Sequence, residues 1–325
     1  MRTKFTRSKL TTVGAAVLVA TSAMLLTACN DKDVKGSPVT SVSAVPLGGA
    51  TTGGGAAPGS TDKGGSNSQA TVRTIGKTGW YEGFEITVDK ATVTPDGSGG
   101  ASIRVDITYK NDTTKDKTLS AAAGLQINGA IDQGASYDTP TVPGKGSAAG
   151  DLTTSVKKFD SADHLLDTIN IVYGTAAENQ TIIPLKTDAK VDSVQPKTLN
   201  VSGTLVQDQT TVMITGGTLT PSYTKGERNK MEVSLHIKLV GGAGISAGGS
   251  NIFTEYFSIK TPDGQSLVAD ARGFIDELLD RNQTIDKADL VATFVVPSPG
   301  TGNYVVSYDA TKGASAVPTY AFTVS

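Results

Sequence analysis

The chain has 325 residues, with 29 lysines and arginines against 31 aspartates and glutamates, two histidines and a single cysteine. One cysteine excludes an internal disulfide, so apolar cores alone must hold the fold. A formal net charge of −2 leaves no basic surplus to displace counterions from phosphate, which argues against nucleic acid as a partner.

The N-terminus carries Arg2, Lys4, Arg7 and Lys9 and then an apolar run from Val13 to Leu26, the order of a secretory signal. That run is shorter than the roughly 20 apolar residues needed to span a bilayer, so it predicts export, not a permanent transmembrane helix. Leu26-Thr27-Ala28 leads straight into Cys29. The junction resembles the lipobox of bacterial lipoproteins, which implies removal of residues 1–28 and a diacylglyceryl thioether on Cys29. Two acyl chains, at about 0.8 kcal/mol per buried methylene, anchor stably where one does not. The processed chain would hold 25 basic and 31 acidic residues, a net charge of −6. Its expected place is the outer face of the cytoplasmic membrane.

Residues 29–72 hold the lipidated cysteine and a Gly/Ser/Thr/Pro-rich stretch, without an aromatic residue between Asn30 and Ala70. Such a stretch buries too little apolar surface to offset its ordering entropy, and it is read as a disordered tether. As a flexible coil it would span on the order of 35 Å.

Period-two alternation begins beyond it. "FEITVDKATVTP" places Phe84, Ile86 and Val88 on one face and then Ala91 and Val93, and "ASIRVDITYKN" alternates Ile103, Val105, Ile107 and Tyr109. Further strands follow around Leu125, Leu152, Ile171 and Ile183, separated by turn formers such as Pro95-Asp96-Gly97 and Asn128-Gly129. Two short stretches read as helices: "SADHLLDTI", with Ser161 as N-cap, and "DARGFIDELLDRN", with Asp270 as N-cap and Phe274, Ile275 and Leu278 on one face.

The second half repeats the first. An ungapped offset of 126 residues sets Ile86 on Val212, Val88 on Ile214, Val93 on Leu219 and Pro95 on Pro221. "SIRVDITYK" then matches "EVSLHIKLV", "LQING" matches "FSIKTPDG", and "NIVYGTA" matches "VVSYDAT". The pattern predicts an all-β chain of two tandem immunoglobulin-like antiparallel β-sandwiches, over 73–187 and 198–325. With "TVPGKGSAAGDLTTSV" and "FVVPSPGTGNYVVSYD", these stretches resemble the telokin-like, immunoglobulin-like domain of unknown function found in Gram-positive, notably actinobacterial, lipoproteins. That fold is similar to the fold of small secreted mycobacterial antigens. The resemblance implies a fold and a cell-surface setting, and no agreed activity.

Motifs that could carry chemistry fail on context. Gly244-Ile245-Ser246-Ala247-Gly248 matches a nucleophile elbow, but both histidines, His164 and His236, precede Ser246, so the required order is absent. Gly76-Lys77-Thr78 is the tail of a phosphate loop whose first glycine position holds Thr71. Asp96-Gly97 and Asp263-Gly264 read as turns and not as calcium loops. Asn111, Asn179, Asn200 and Asn282 open glycosylation sequons in form only. Trp80-Tyr81 is either a binding platform or, more simply, core. The expectation is a membrane-anchored, non-enzymatic binding module without catalytic residues, cofactor or metal. Its partners are the membrane, through Cys29, and a protein or envelope polymer. The alternative, a solute- or lipid-carrier lipoprotein, would normally show repeated strand–helix units, which this sequence lacks.

Overall fold

The computed structural model describes residues 69–119, 123–312 and 316–325. The signal, Cys29 and nearly all of the tether lie outside the described residues. The first described strand is Thr71–Tyr81, which starts slightly ahead of the expected boundary at residue 73.

The alternating sequences form strands with their apolar residues inward. In Phe84–Pro95 the buried set is Phe84, Ile86 and Val88, then Ala91 and Val93, so the inward parity changes midway. A β-bulge causes the change: Val88 pairs with Ile107 and Lys90 with Asp106, leaving Asp89 as the extra residue. The equivalent strand Thr210–Pro221 does the same thing at the same place. There Ile214 pairs with Ile237 and Gly216 with His236, so Thr215 is extra, at the 126-residue offset seen in the sequence.

Each half is a sandwich of antiparallel sheets. In the first half Thr71–Tyr81, Phe84–Pro95, Ala101–Asn111, Ser147–Val156 and Ser136–Asp138 lie side by side. The facing sheet runs Thr181–Pro184, Ile169–Tyr173, Ala123–Ile127, Ala130–Ile131. In the second half Lys197–Leu199 and Gly203–Gln207 both pair with Thr210–Pro221, followed by Lys230–Gly241 and Val291–Pro297. Its facing sheet runs Thr319–Val324, Gly302–Tyr308, Phe257–Lys260, Ser266–Val268, the same order of equivalent strands. A separate apolar core fills each sandwich, one centred on Ile86, Val105, Leu125 and Ile171, the other on Val212, Val233, Ile259 and Val306. Burying each such side chain contributes roughly 1.5–3 kcal/mol.

Turn chemistry closes the hairpins. Glu82 and Gly83 both have positive φ, as do Asn128 and Gly129, so both two-residue loops are of the primed type that matches strand twist.

The first expected helix is present as Ala162–Asp167, capped by Ser161 Oγ accepting from the His164 N–H at 3.2 Å. The second is not, and this corrects the sequence expectation. Asp270 caps only the three-residue 3-10 turn Ala271–Gly273, and Asp276–Leu279 then forms a strand paired with Ser250–Phe253. Phe274 and Leu278 point to solvent at 68% and 50% exposure, while Ile275 and Leu279 are buried. This packing requires a glycine at Gly273, whose backbone lies so close to Val291 and Thr293 that a Cβ would stand 2.6 Å from both the Val291 carbonyl and Thr293 Oγ1. No helix among the described residues is long and apolar enough to cross a membrane.

Candidate functional site

The segment between the sandwiches, 187–197, is polar in sequence but tied down in the structure. Asp192 forms an antiparallel bridge with Ile182, and Ser193 Oγ accepts from the Trp80 N–H at 2.8 Å. All described residues belong to one compact unit. Three hydroxyls, Thr181 Oγ1, Ser193 Oγ (3.1 Å) and Tyr223 Oη (3.1 Å), donate to the Trp80 carbonyl. The first two come from the first sandwich and its following segment, and Tyr223 comes from the second.

Tyr223 also lays its ring against Tyr81, with centroids 4.4 Å apart, and so closes the first core from the second module. Burial pushes both phenols well above their ordinary titration range. Beside this contact, Asn179 Nδ2 donates to the carbonyls of Ser222 (2.7 Å) and Lys230 (2.8 Å), and its Oδ1 accepts from the Asn229 N–H at 2.9 Å. Gly226 N–H donates to the Ala177 carbonyl and Arg228 to the Ala176 carbonyl. A side-chain amide that mimics a backbone partner in this way rigidifies a join between loops.

Arg272 holds the second module's contribution in place. Its guanidinium reaches Glu227 at 2.9 Å, Glu232 at 2.5 Å and Asp270 at 2.9 Å, and donates to Ser222 Oγ and Thr224 Oγ1. The hydrogen bond from Arg272 keeps the Glu227 and Asp270 carboxyls below their usual range, while the bond to Glu227 raises the arginine further. The turn carrying Tyr223 and Asn229 is thus braced from behind.

A cleft of about 760 Å³ opens alongside this junction. One wall is the apex of the first module: half-buried Trp80, Glu82, Gly83, Asp112, Thr113, Lys117 and Lys145. The other is the outer sheet face of the second: Thr198, Thr218, Thr220 and Glu232, with Tyr223 and Thr224 at the join. Thr198 pairs directly with Thr218 across strands and Thr220 with Glu232, so these side chains form one ladder. Two cations on the first wall are engaged locally: Lys117 Nζ donates to the Glu82 carbonyl and lies 5.6 Å from the Phe84 ring centre, and Lys145 Nζ donates to the Asp112 carbonyl.

Trp80 and Tyr81 divide between the two readings offered for them, since Tyr81 is core and Trp80 lines the cleft. Ser246 lies elsewhere, in an exposed loop between the strands Lys230–Gly241 and Ser250–Phe253, with its hydroxyl 3.5 Å from the Gly249 carbonyl. His236 is half-exposed on a strand between buried Leu235 and Ile237, and His164 contacts Asp160 at 3.0 Å on the surface. Lys77 sits within a strand, its ammonium given to the carbonyls of Pro184, Lys186 and Ala189. Asp96 and Asp263 organise turns, Asp96 Oδ1 accepting from the Ser98 and Gly100 N–H groups. The side chain of the sequon residue Asn111 is buried, bonded to the Lys115 and Val142 carbonyls. Among the described residues no group of three or more His, Cys, Asp or Glu side chains is arranged to hold a metal ion.

Sequence reasoning missed Tyr223, the docking role of Asn179 and the brace at Arg272. A lone aromatic in the polar turn "SYTKGERNK" was the available signal.

No family model matches the chain, and no curated protein matches it. A crystal structure of a conserved domain protein from Bacillus anthracis aligns over 78% of this chain and 92% of that one, at 13% identity and a TM-score of 0.24. Likeness at that level transfers neither a site nor an activity.

Proposed function

We propose that the protein is a lipid-anchored, non-enzymatic binding module of the Gram-positive cell surface, whose ligand lies in the cleft between its two sandwiches. The observation that carries this reading is the cleft itself. Its size falls within the roughly 300–1,000 Å³ of ordinary ligand sites, and its walls come from both modules, held together by the Trp80 carbonyl, Tyr223 and Asn179. A preorganised junction spares the ordering cost that a hinged site would meet on binding. The Leu26-Thr27-Ala28-Cys29 sequence supports the anchor, and its likeness to lipoprotein signals supports the outer membrane face as the location.

Two experiments test the two halves of the proposal. Wild-type protein should enter the detergent phase on phase partition, and Cys29→Ala should stay in the aqueous or unprocessed pool; a Cys29→Ala chain that matures and partitions like wild type removes the anchor. Cell-envelope fragments of the producing bacterium should deplete the full-length chain from solution and deplete Trp80→Ala much less. Equal depletion of both removes the cleft.

A further inference from the structure

Resting on the reading of the cleft as a binding site, we infer that its ligand is a neutral, polyhydroxylated chain, that is, a segment of an uncharged glycan. Three features of the walls point the same way. The charges that line the cleft are of both signs, Lys117 and Lys145 beside Glu82, Asp112 and Glu232, with Asp112 lying 3.4 Å from Lys110 and Glu232 2.5 Å from Arg272, so the lining holds no block of one sign. A polyanion or polycation would meet like charge beside every opposite one along such a lining. The hydroxyls of Thr198, Thr218 and Thr220 stand in one ladder facing the cleft, without a hydrogen bond to other described residues. A hydroxyl both donates and accepts, so such a row complements the hydroxyls of a sugar chain. The third feature is Trp80, whose backbone is hydrogen-bonded at both its N–H and its carbonyl and whose half-buried side chain lines the same space. A flat aromatic face there suits the C–H face of a pyranose ring.

A peptide is the competing occupant, and the sheet disfavours it. The strand bearing Thr218 and Thr220 is hydrogen-bonded on both sides, to Lys197–Leu199 and to Lys230–Gly241, and the free edge beside the cleft is that of the three-residue strand Lys197–Leu199, a short ladder for strand addition.

The chain contains one tryptophan among nine tyrosines, so emission excited selectively at the tryptophan, beyond the tyrosine absorption band, reads this cleft. The full-length chain in detergent is titrated with the N-acetylglucosamine hexamer, with cellohexaose, with poly(glycerol phosphate) and with a proline-rich decapeptide. A neutral oligosaccharide should shift the Trp80 emission saturably, with little dependence on salt. The double variant Thr218→Val, Thr220→Val, which keeps β-branched residues on the strand, should weaken that affinity roughly tenfold, the worth of about two hydrogen bonds. If poly(glycerol phosphate) or the peptide shifts the emission and neither sugar does, the glycan assignment is wrong while the cleft stands. If a sugar binds and the double variant binds it equally well, the threonine ladder is not the site. Envelope fragments that capture Trp80→Ala as fully as wild type overturn the cleft and this inference with it.

Discussion

The apex of the first module and the apex of the second are built from corresponding pieces of chain and do opposite things. At the first, Tyr81 ends the opening strand, Tyr109 and Tyr173 share a hydrogen bond at 3.1 Å beneath it, and Asn179 reaches out to the neighbouring module. At the second, the residue 126 positions beyond Tyr81 is Gln207, whose amide turns inward, donating to Asp309 and Thr311 at 3.3 Å and accepting from the Ala310 N–H at 2.8 Å. Leu239 pairs with Val212 much as Tyr109 pairs with Ile86, and Tyr308 takes the place of Tyr173. The backbone was kept and the side chains decide whether an end docks or seals itself. Docking is a property of a few residues laid on a shared frame, and the second apex lacks them.

The largest test of this contrast is Tyr223→Ala. It removes the ring over Tyr81 and the hydroxyl on the Trp80 carbonyl, and for a half-buried aromatic the loss should be about 2–4 kcal/mol. Calorimetry should then show the melt separating into two transitions. Gln207→Ala at the sealed apex should instead lower the stability of the second module alone, by about 1–2 kcal/mol.

A smaller effect distinguishes the buried tyrosines. Tyr173→Phe breaks the bond to Tyr109 and should cost about 1 kcal/mol. Among the described residues the buried Tyr308 hydroxyl has no hydrogen-bond partner; Thr210 approaches it without closing a bond, and burial pushes the phenol up to about 12. Tyr308→Phe should therefore be neutral or stabilising in urea titrations, and a loss equal to that at Tyr173 would contradict the contrast.

The smallest expected effect is one of pH. Glu227 and Asp270 titrate below the ordinary carboxylate range in the folded chain, chiefly because Arg272 donates to them. Depressed carboxyls contribute stability that is present above their unfolded values, near 4, and is lost as pH falls through the folded values. Wild-type urea midpoints should drop between pH 5 and 3, and those of Arg272→Met should drop less. Partial exposure of these groups keeps the difference modest.

The strands and their duplication were legible because burial imposes period two wherever a strand has one wet face, and Ile86, Val88, Val212 and Ile214 obey it. The segment 270–279 was misread because Phe274 and Leu278 are four apart, a spacing that puts two residues on one face of a helix and equally on one face of a strand, and in the strand that face is the exposed one. The cleft was not legible at all. It exists only because Tyr223 and Asn179 join two modules, and a contact between residues so distant in the chain leaves no local period. Trp80 could be noticed in the sequence, but not which way it would face.

The shared bulge also determines which changes in chain length each sandwich can absorb. Excising Asp89 leaves Phe84, Ile86, Val88, Ala91 and Val93 as an unbroken alternating set, because the residue removed is the one that occupies no regular pleat position. Excising Thr87 shortens the strand equally but turns Val88 outward and Asp89 inward, an unpaired carboxylate in the core. Thr215 and Met213 stand in the same relation in the second sandwich. Single-codon loss is thus nearly silent at one position and ruinous two residues earlier, and the pair of bulges marks the places where each reading of the strand may be reset.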